Sequence, residues 1–204
     1  MSMNPSPVTL PVPIRVAATA RLPTRFGDFR IVAFRGPAGE EYGAVVKGDV
    51  DGRQGVPARL HSACFTGDLM GSLRCDCRDQ LEAALRFIGR ADRGIVLYLE
   101  QEGRGIGLIN KVRAYALQEE GLDTVEANEA LGFPDDLRRY DVAAGMLEAL
   151  GVGSVCLLTN NPRKVQGLVG LGVPVVGRIP LRAGANQHNA FYLQTKREKS
   201  GHLL

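Results

Sequence analysis

This chain of 204 residues contains no tryptophan, and only 6% of it is aromatic. Platforms for unpaired bases need aromatic rings interleaved with basic residues, so no nucleic-acid partner is expected. No apolar run approaches the ~20 residues a bilayer-crossing helix requires, so no membrane partner is expected either. Charge of one sign is also scarce. The 25 Lys and Arg stand against 22 Asp and Glu, a formal +3, which is too mild to argue for a large polyanion and suits a small anionic ligand equally well. Four cysteines in 204 residues do not make a disulfide framework, because a chain this long folds without covalent staples. No hydrophobic secretion signal opens the sequence, and a reducing cytoplasm is the expected compartment. The first thirteen residues lack any charged side chain but hold Pro5, Pro7, Pro11 and Pro13. They read as a disordered, proline-rich arm (1–13) ahead of one globular domain over 14–204.

What the chain does have is a group of cysteines. Cys64, Cys75 and Cys77 stand in His61-Ser-Ala-Cys-Phe-Thr-Gly-Asp68 and Ser72-Leu-Arg-Cys-Asp-Cys77, spaced C-x10-C-x-C. Three thiolates offer a metal ion three ligands and leave a fourth position open, the arrangement of a catalytic zinc rather than a structural one. The alternative is that they are small buried apolar residues. Arg74, Asp76, Arg78 and Asp79 around them favour thiolates over an apolar core.

From Ile14 to about His61, short β-like runs such as Arg30 to Phe34 and Tyr42 to Val46 alternate with Gly, Pro and Asp, and predict an antiparallel sheet. Leu81, Ala84, Leu85 and Ile88 then recur at helical spacing. The strand Gly94 to Leu99 leads into a glycine loop and a helix running to about Glu120. Val155 to Leu158 leads into Thr159-Asn-Asn-Pro-Arg-Lys164 and a helix with Val165, Leu168 and Val169 as its apolar face, and Val173 to Val176 follows as a strand. Asp135 and Asp136 precede a helix bearing Val142, Met146 and Leu150, and Lys196 onward reads as a frayed tail. The fold class is α+β or α/β, a β-rich N-terminal half followed by βαβ units around a mixed sheet.

Two strand-end loops carry anion chemistry. In Gln101-Glu-Gly-Arg-Gly-Ile-Gly107, alternate glycines let backbone amides approach a ligand at a helix start, and Arg104 adds a bidentate donor. A plain tight turn is the bland alternative. In Thr159 to Lys164 a hydroxyl, two amides and two cations sit at a second helix start, where an N-cap with Pro162 in the first turn explains the same residues. In open α/β sheets, ligands bind at the carboxyl ends of strands, where both loops lie.

Together with Lys-x-Arg-Ala-Tyr-Ala-Leu-Gln, Asp-Thr-Val-Glu-Ala-Asn, Leu-Leu-Thr-Asn-Asn-Pro and a terminal Gly-His-Leu-Leu, these motifs resemble GTP cyclohydrolase II from about Arg15 to Leu204. The resemblance implies a homodimer with one Zn2+ per subunit, and Mg2+ with the GTP phosphates. Its reaction opens the imidazole ring of GTP, releases formate and pyrophosphate, and leaves 2,5-diamino-6-(5-phosphoribosylamino)pyrimidin-4(3H)-one, the first step of riboflavin biosynthesis. It places the zinc ligands on Cys64, Cys75 and Cys77, and the GTP contacts on Arg59, Leu60, His61, Ser62, Ala63, Gln80, Glu102, Gly103, Arg104, Thr124, Thr159 and Lys164. Asp136 corresponds to the proton acceptor, Arg138 to the proposed nucleophile and Tyr115 to an active-site tyrosine. A guanidinium is normally a charge clamp, so covalent attack and phosphate clamping both stand for Arg138.

The chain departs from the family pattern at Ala63, where a glutamate is familiar, and at Arg78 and Asp79. Rival readings are a relative that stops at the formamide product and a zinc-stabilised nucleotide-binding module without catalysis.

Overall fold

Alternating β-branched and aromatic residues build a seven-stranded sheet in the computed structural model, which describes residues 11–181, 184 and 186–203. Strands β1 (Arg15–Thr24), β2 (Gly27–Arg35) and β3 (Glu41–Lys47) run antiparallel, and β3 pairs antiparallel with β5 (Gly94–Leu99). The other half is parallel: β4 (Val56–Ser62) lies between β5 and β6 (Val155–Leu158), and β7 (Val175–Ile179) closes the edge. The order is β1-β2-β3-β5-β4-β6-β7. The mixed sheet expected from the sequence is therefore present, with one correction. β4 belongs to the parallel half, because its partners come from residues far along the chain, whose pairing no local pattern announces.

Helices cover both faces. On one, Ala84 and Ile88 of α1 (Cys77–Arg90) pack with Phe29, Val96 and Leu158. On the other, Ala143, Met146 and Leu147 of α4 (Asp141–Ala149) and Leu168 of α5 (Pro162–Gly170) meet Ala58, Leu60, Leu97 and Leu157. Successive residues of a strand face opposite sides, so Ala58 and Leu60 enter the α4 core while Arg59 and His61 face the α1 side, near the start of that helix. Two more helices, α2 (Gly107–Glu119) and α3 (Thr124–Ala130), pack on each other. A capping box opens α3: the Asp123 side chain accepts from the backbone amide of Glu126, whose own side chain accepts from the Asp123 amide.

Several expectations shift. Val169 is 55% exposed and lies off the buried face of α5, and the last strand starts two residues later than Val173. Asp135 and Asp136 lie upstream of α4, whose first turn holds Asp141 instead. The C-terminal stretch is no frayed tail, because α6 (Ala190–Glu198) places Lys196, 6% exposed, against Asp76. Most of the proline-rich arm lies outside the described residues; of its last part, Val12 donates its amide to the Asp141 carbonyl at 3.4 Å. Among the described residues no helix is long and apolar enough to cross a membrane.

Candidate active site

The carboxyl ends of β4, β5 and β6 converge on one cavity, closed by the starts of α1 and α3 and by α2 and α6. β4 runs straight into the first cysteine. A π-helical turn, Phe65–Leu69, follows it, with the Gly67 amide donating to Cys64 Sγ at 3.3 Å. Cys77 begins α1, and Cys75 lies two residues earlier. The three sulfurs lie within 4.8 Å of one another, so residues up to thirteen positions apart form one donor set. Hydrogen bonds from the Cys75 and Cys77 thiols, with the Lys111 ammonium 3.0 Å away, pull the Cys64 thiol far below its ordinary pKa. Sharing that charge pushes the Cys75 thiol up to about 11 and the Cys77 thiol well above its ordinary value. Three sulfur donors competing for protons in one cluster suit a thiophilic cation such as zinc.

Around the thiols is a framework of buried polar groups. Asp68 accepts from His61 Nε2 at 2.9 Å, from Tyr98 Oη at 3.1 Å and from the Cys64 amide at 3.0 Å. Burial outweighs that carboxylate and holds His61 below its usual pKa, so the imidazole is neutral. Lys111 bridges Cys64 to Glu102 at 2.8 Å, and the other Glu102 oxygen takes the Phe65 amide. Tyr115 Oη lies 3.4 Å from Thr66 Oγ1, under the guanidinium of Arg74. Arg59 donates to the Leu158 carbonyl and to Gln80, Gln80 donates to Asp76, and Lys196 donates to the other Asp76 oxygen at 2.6 Å.

The opposite wall is cationic. Residues 102–105 form a tight turn in which Gly103 and Arg104 both take φ +60°, a left-handed conformation that is uncommon for a side chain as large as arginine. The turn is held by Leu137, whose amide donates to the Arg104 carbonyl at 3.0 Å, and by the ion pair of Arg104 with Asp135. Asp136 accepts from Nε and Nη2 of Arg138 at 2.8 and 2.5 Å. Burial works against the Arg138 charge, but these bonds outweigh it and raise its pKa above the ordinary guanidinium value, while Asp136 is held below the usual carboxylate range. Lys164, 4% exposed, donates to the Leu60 carbonyl at 2.7 Å and faces no carboxylate among its hydrogen-bond and ion-pair partners. Burial and the like charges of Arg59 and Arg138 push its pKa well down.

In all, Arg59, Arg74, Arg104, Lys111, Arg138, Lys164 and Lys196 line the cavity against two carboxylates, Asp76 and Glu102. Six buried side-chain atoms have no partner among the described residues: Asp68 Oδ1, which lies off the cavity wall, and Arg59 Nε, His61 Nδ1, Ser62 Oγ, Gln101 Oε1 and His202 Nδ1, whose residues all line the same cavity. Buried polar atoms are almost always satisfied, so a concentration of orphans at one place marks a site built for a polar, anionic ligand.

Most residues singled out in the sequence meet here. Two do not reach the cavity wall. Leu60 points its side chain into the α4 core and offers only its carbonyl, and Asp136 stands behind Arg138. The Ala63 amide is committed to the Leu99 carbonyl at 2.8 Å, and Arg78 lies on the surface of α1 beside Glu82. Sequence reasoning missed Lys111, Asn128, Lys196 and His202. Lys111 stands four residues before Tyr115, one helical turn along the same face, so the tyrosine already pointed to it.

Fold and site together define an enzyme of the mixed α/β kind, its pocket pairing a thiol cluster with a wall lined by cations. The chain belongs to the GTP cyclohydrolase II family, whose model matches residues 14–180. It is 51% identical over 192 residues to the GTP cyclohydrolase-2 of Aeromonas hydrophila, covering 94% of this chain and 98% of that protein. With the GTP cyclohydrolase-2 of Azotobacter vinelandii the identity is 56% over 188 residues, 92% of this chain and 90% of the other. The riboflavin biosynthesis protein RibBA of Bacillus subtilis is 56% identical over 185 residues, 90% of this chain. This chain spans 46% of that longer protein. A solved structure of RibBX, a two-domain 3,4-dihydroxy-2-butanone 4-phosphate synthase from A. baumannii, aligns with 84% of this chain and 40% of its own at TM-score 0.45 and 17% identity.

Proposed function

We propose that this chain hydrolyses GTP to formate, pyrophosphate and 2,5-diamino-6-(5-phosphoribosylamino)pyrimidin-4(3H)-one, the entry step of riboflavin biosynthesis. One observation carries the reading: a three-thiol cluster and a set of cations, of which Arg59 and Lys164 have no ion-pair partner among the described residues, open on the same cavity. Three water molecules balance the reaction. One opens the imidazole ring at C8 to a formamide, a second releases formate, and a third cleaves the α–β phosphoanhydride. Cys64, Cys75 and Cys77 would hold a Zn2+ ion, which supplies Lewis acidity beside the purine.

The chain's own residues divide the remaining work. Lys111 compensates thiolate charge and, through Glu102, fixes the turn after Cys64. Tyr115 offers a hydroxyl on the thiol side of the cavity. Arg104, Arg138 and Lys164 hold the triphosphate, whose Mg2+ arrives with the nucleotide. The Asp136 bonds supply a specific reason to read Arg138 as a clamp. Both shifts oppose passing a proton from Arg138 to Asp136, which covalent attack on the α-phosphate requires. Asp136 is then a positioning residue that aims the guanidinium.

The test is one incubation of the purified chain with GTP and Mg2+, assayed for formate, pyrophosphate and the pyrimidine, with the acid-quenched protein examined by mass spectrometry. Equal formate and pyrophosphate and an unmodified Arg138 peptide are expected. Accumulating formamide would identify the truncated reaction instead. A guanylyl adduct on Arg138 would replace the clamp by covalent catalysis, and no turnover would leave a binding module.

A further inference from the structure

The last described residues, Lys199 to Leu203, close one side of the cavity, and no step above uses them. Five contacts hold them there. Lys199 forms ion pairs with Asp123 and Glu126 at the head of α3. Ser200 Oγ lies 3.4 Å from Arg104 Nη1. The His202 amide donates to the Lys196 carbonyl at 3.1 Å, and the Leu203 amide donates to the Asn160 carbonyl at 2.9 Å. Gly201 at φ +66° supplies the left-handed residue that turns the chain after α6. The segment thereby ties α3, the 102–105 turn, α6 and the loop after β6 into one wall.

His202, one of these tethers, lines the cavity, with Nδ1 buried and without a partner among the described residues. Burial first, then Lys196, Arg138, Arg104 and Lys164, push its pKa down to about 3, so the ring is neutral. A neutral imidazole still carries one N–H, and it adds no repulsion to four cations. With that N–H placed on Nδ1, which has no partner among the described residues, the ring is complementary to an anion attracted by the same four cations.

Building on the nucleotide reading above, we propose that His202 is a substrate-binding residue whose Nδ1–H donates to a phosphate oxygen of the triphosphate held by Arg104, Arg138 and Lys164. Inorganic tripolyphosphate, which shares that phosphate chain and lacks the purine, probes the contact by itself. Calorimetry with the zinc-loaded full chain should show His202→Ala weakening tripolyphosphate binding by about tenfold, as expected for a lost hydrogen bond to a charged group. KM for GTP should rise by a similar factor with kcat within about threefold, the pattern of a contact made equally in ground and transition states. His202→Asn, whose amide places an N–H near the lost Nδ1–H, should recover most of the affinity, a rescue that a merely structural role would not give. Unchanged tripolyphosphate affinity in His202→Ala overturns the proposal, and so does an Asn variant as weak as the Ala variant. Loss of the folded circular dichroism signal in both variants would make His202 structural and overturn it as well. If the unsubstituted chain binds no tripolyphosphate, the functional reading fails and takes this inference with it. If it binds and His202→Ala binds equally, only this inference fails.

Discussion

Lys164 is the residue where function and stability most plainly oppose each other. Its ammonium is 4% exposed, its hydrogen bond goes to the Leu60 carbonyl, and among the described residues it has no ion-pair partner. Arg59, Arg138 and Lys196 act against its charge, and only the more distant Asp136, already held by Arg138, favours it. A buried charge without a counter-ion is costly, and here the counter-ion is expected to be the substrate. The folded-state pKa lies well below the ordinary lysine value, so the unfolded chain binds the proton more tightly. The resulting destabilisation is full below the folded pKa, shrinks as pH rises, and vanishes above the unfolded value of ~10.4. Lys164→Met should therefore raise the melting temperature of the ligand-free protein at neutral pH by about 2–4 °C, some 1 kcal/mol in a chain of this size. That gain should fade toward pH 10. The same variant should bind GTP at least about tenfold more weakly, since a charged hydrogen bond is lost. Scanning calorimetry at two pH values with a GTP titration checks both, and a lower melting temperature at pH 7 would contradict the account of Lys164 as an unpaired cation.

Among the elements, the π-helical turn Phe65–Leu69 is the piece on which the three-thiol cluster depends. It is packed against the thiols with no spare space. A Cβ on Gly67 would fall 2.8 Å from Cys75 Sγ and 3.1 Å from Cys64 Sγ, closer than such atoms settle. Gly67→Ala leaves all three thiols in the chain but forces the turn back from them. We expect zinc affinity, measured by chelator competition, to fall by about tenfold or more, the usual effect of disturbing the surroundings of metal ligands. Affinity equal to that of the unsubstituted chain would show that the three thiols do not act as one centre.

Element boundaries and their pairing were unequally legible in the sequence. Gly94 to Leu99 is a strand over that whole stretch because its apolar run is bounded by Gly94 and by the polar Glu100 and Gln101. The cysteine cluster was legible from spacing alone, and the Gly103 and Asn161 loops from their position after strands. What was lost depends on partners distant in sequence. β4 is parallel because of residues near 95 and 155. Lys111 reads as a solvated helix lysine until Cys64, 47 positions earlier, is brought to it. Lys196 reads as tail until it meets Asp76, 120 positions away. Alternation along β4 sends the Leu60 side chain to the α4 core and gives the site side to Arg59 and His61.

For the molecule as a whole, the two halves of the sheet divide the labour. The antiparallel strands β1 to β3 lie away from the cavity, and the parallel strands β4 to β6 aim their carboxyl ends at one place. The thiols follow β4 and reach into α1, the left-handed turn with Arg104 follows β5, and Lys164 follows β6. A chain of mild formal charge, +3, thus gathers seven cations at one cavity. The central claim is that the thiol centre drives ring opening in a nucleotide held by that pocket. Formate release from GTP, measured with zinc-reconstituted chain, chelator-stripped chain and Cys75→Ser, tests it most directly. The account predicts release from the reconstituted chain alone, with stripped and Cys75→Ser chains falling to background while still binding GTP. Formate release from Cys75→Ser at the unsubstituted rate would contradict it.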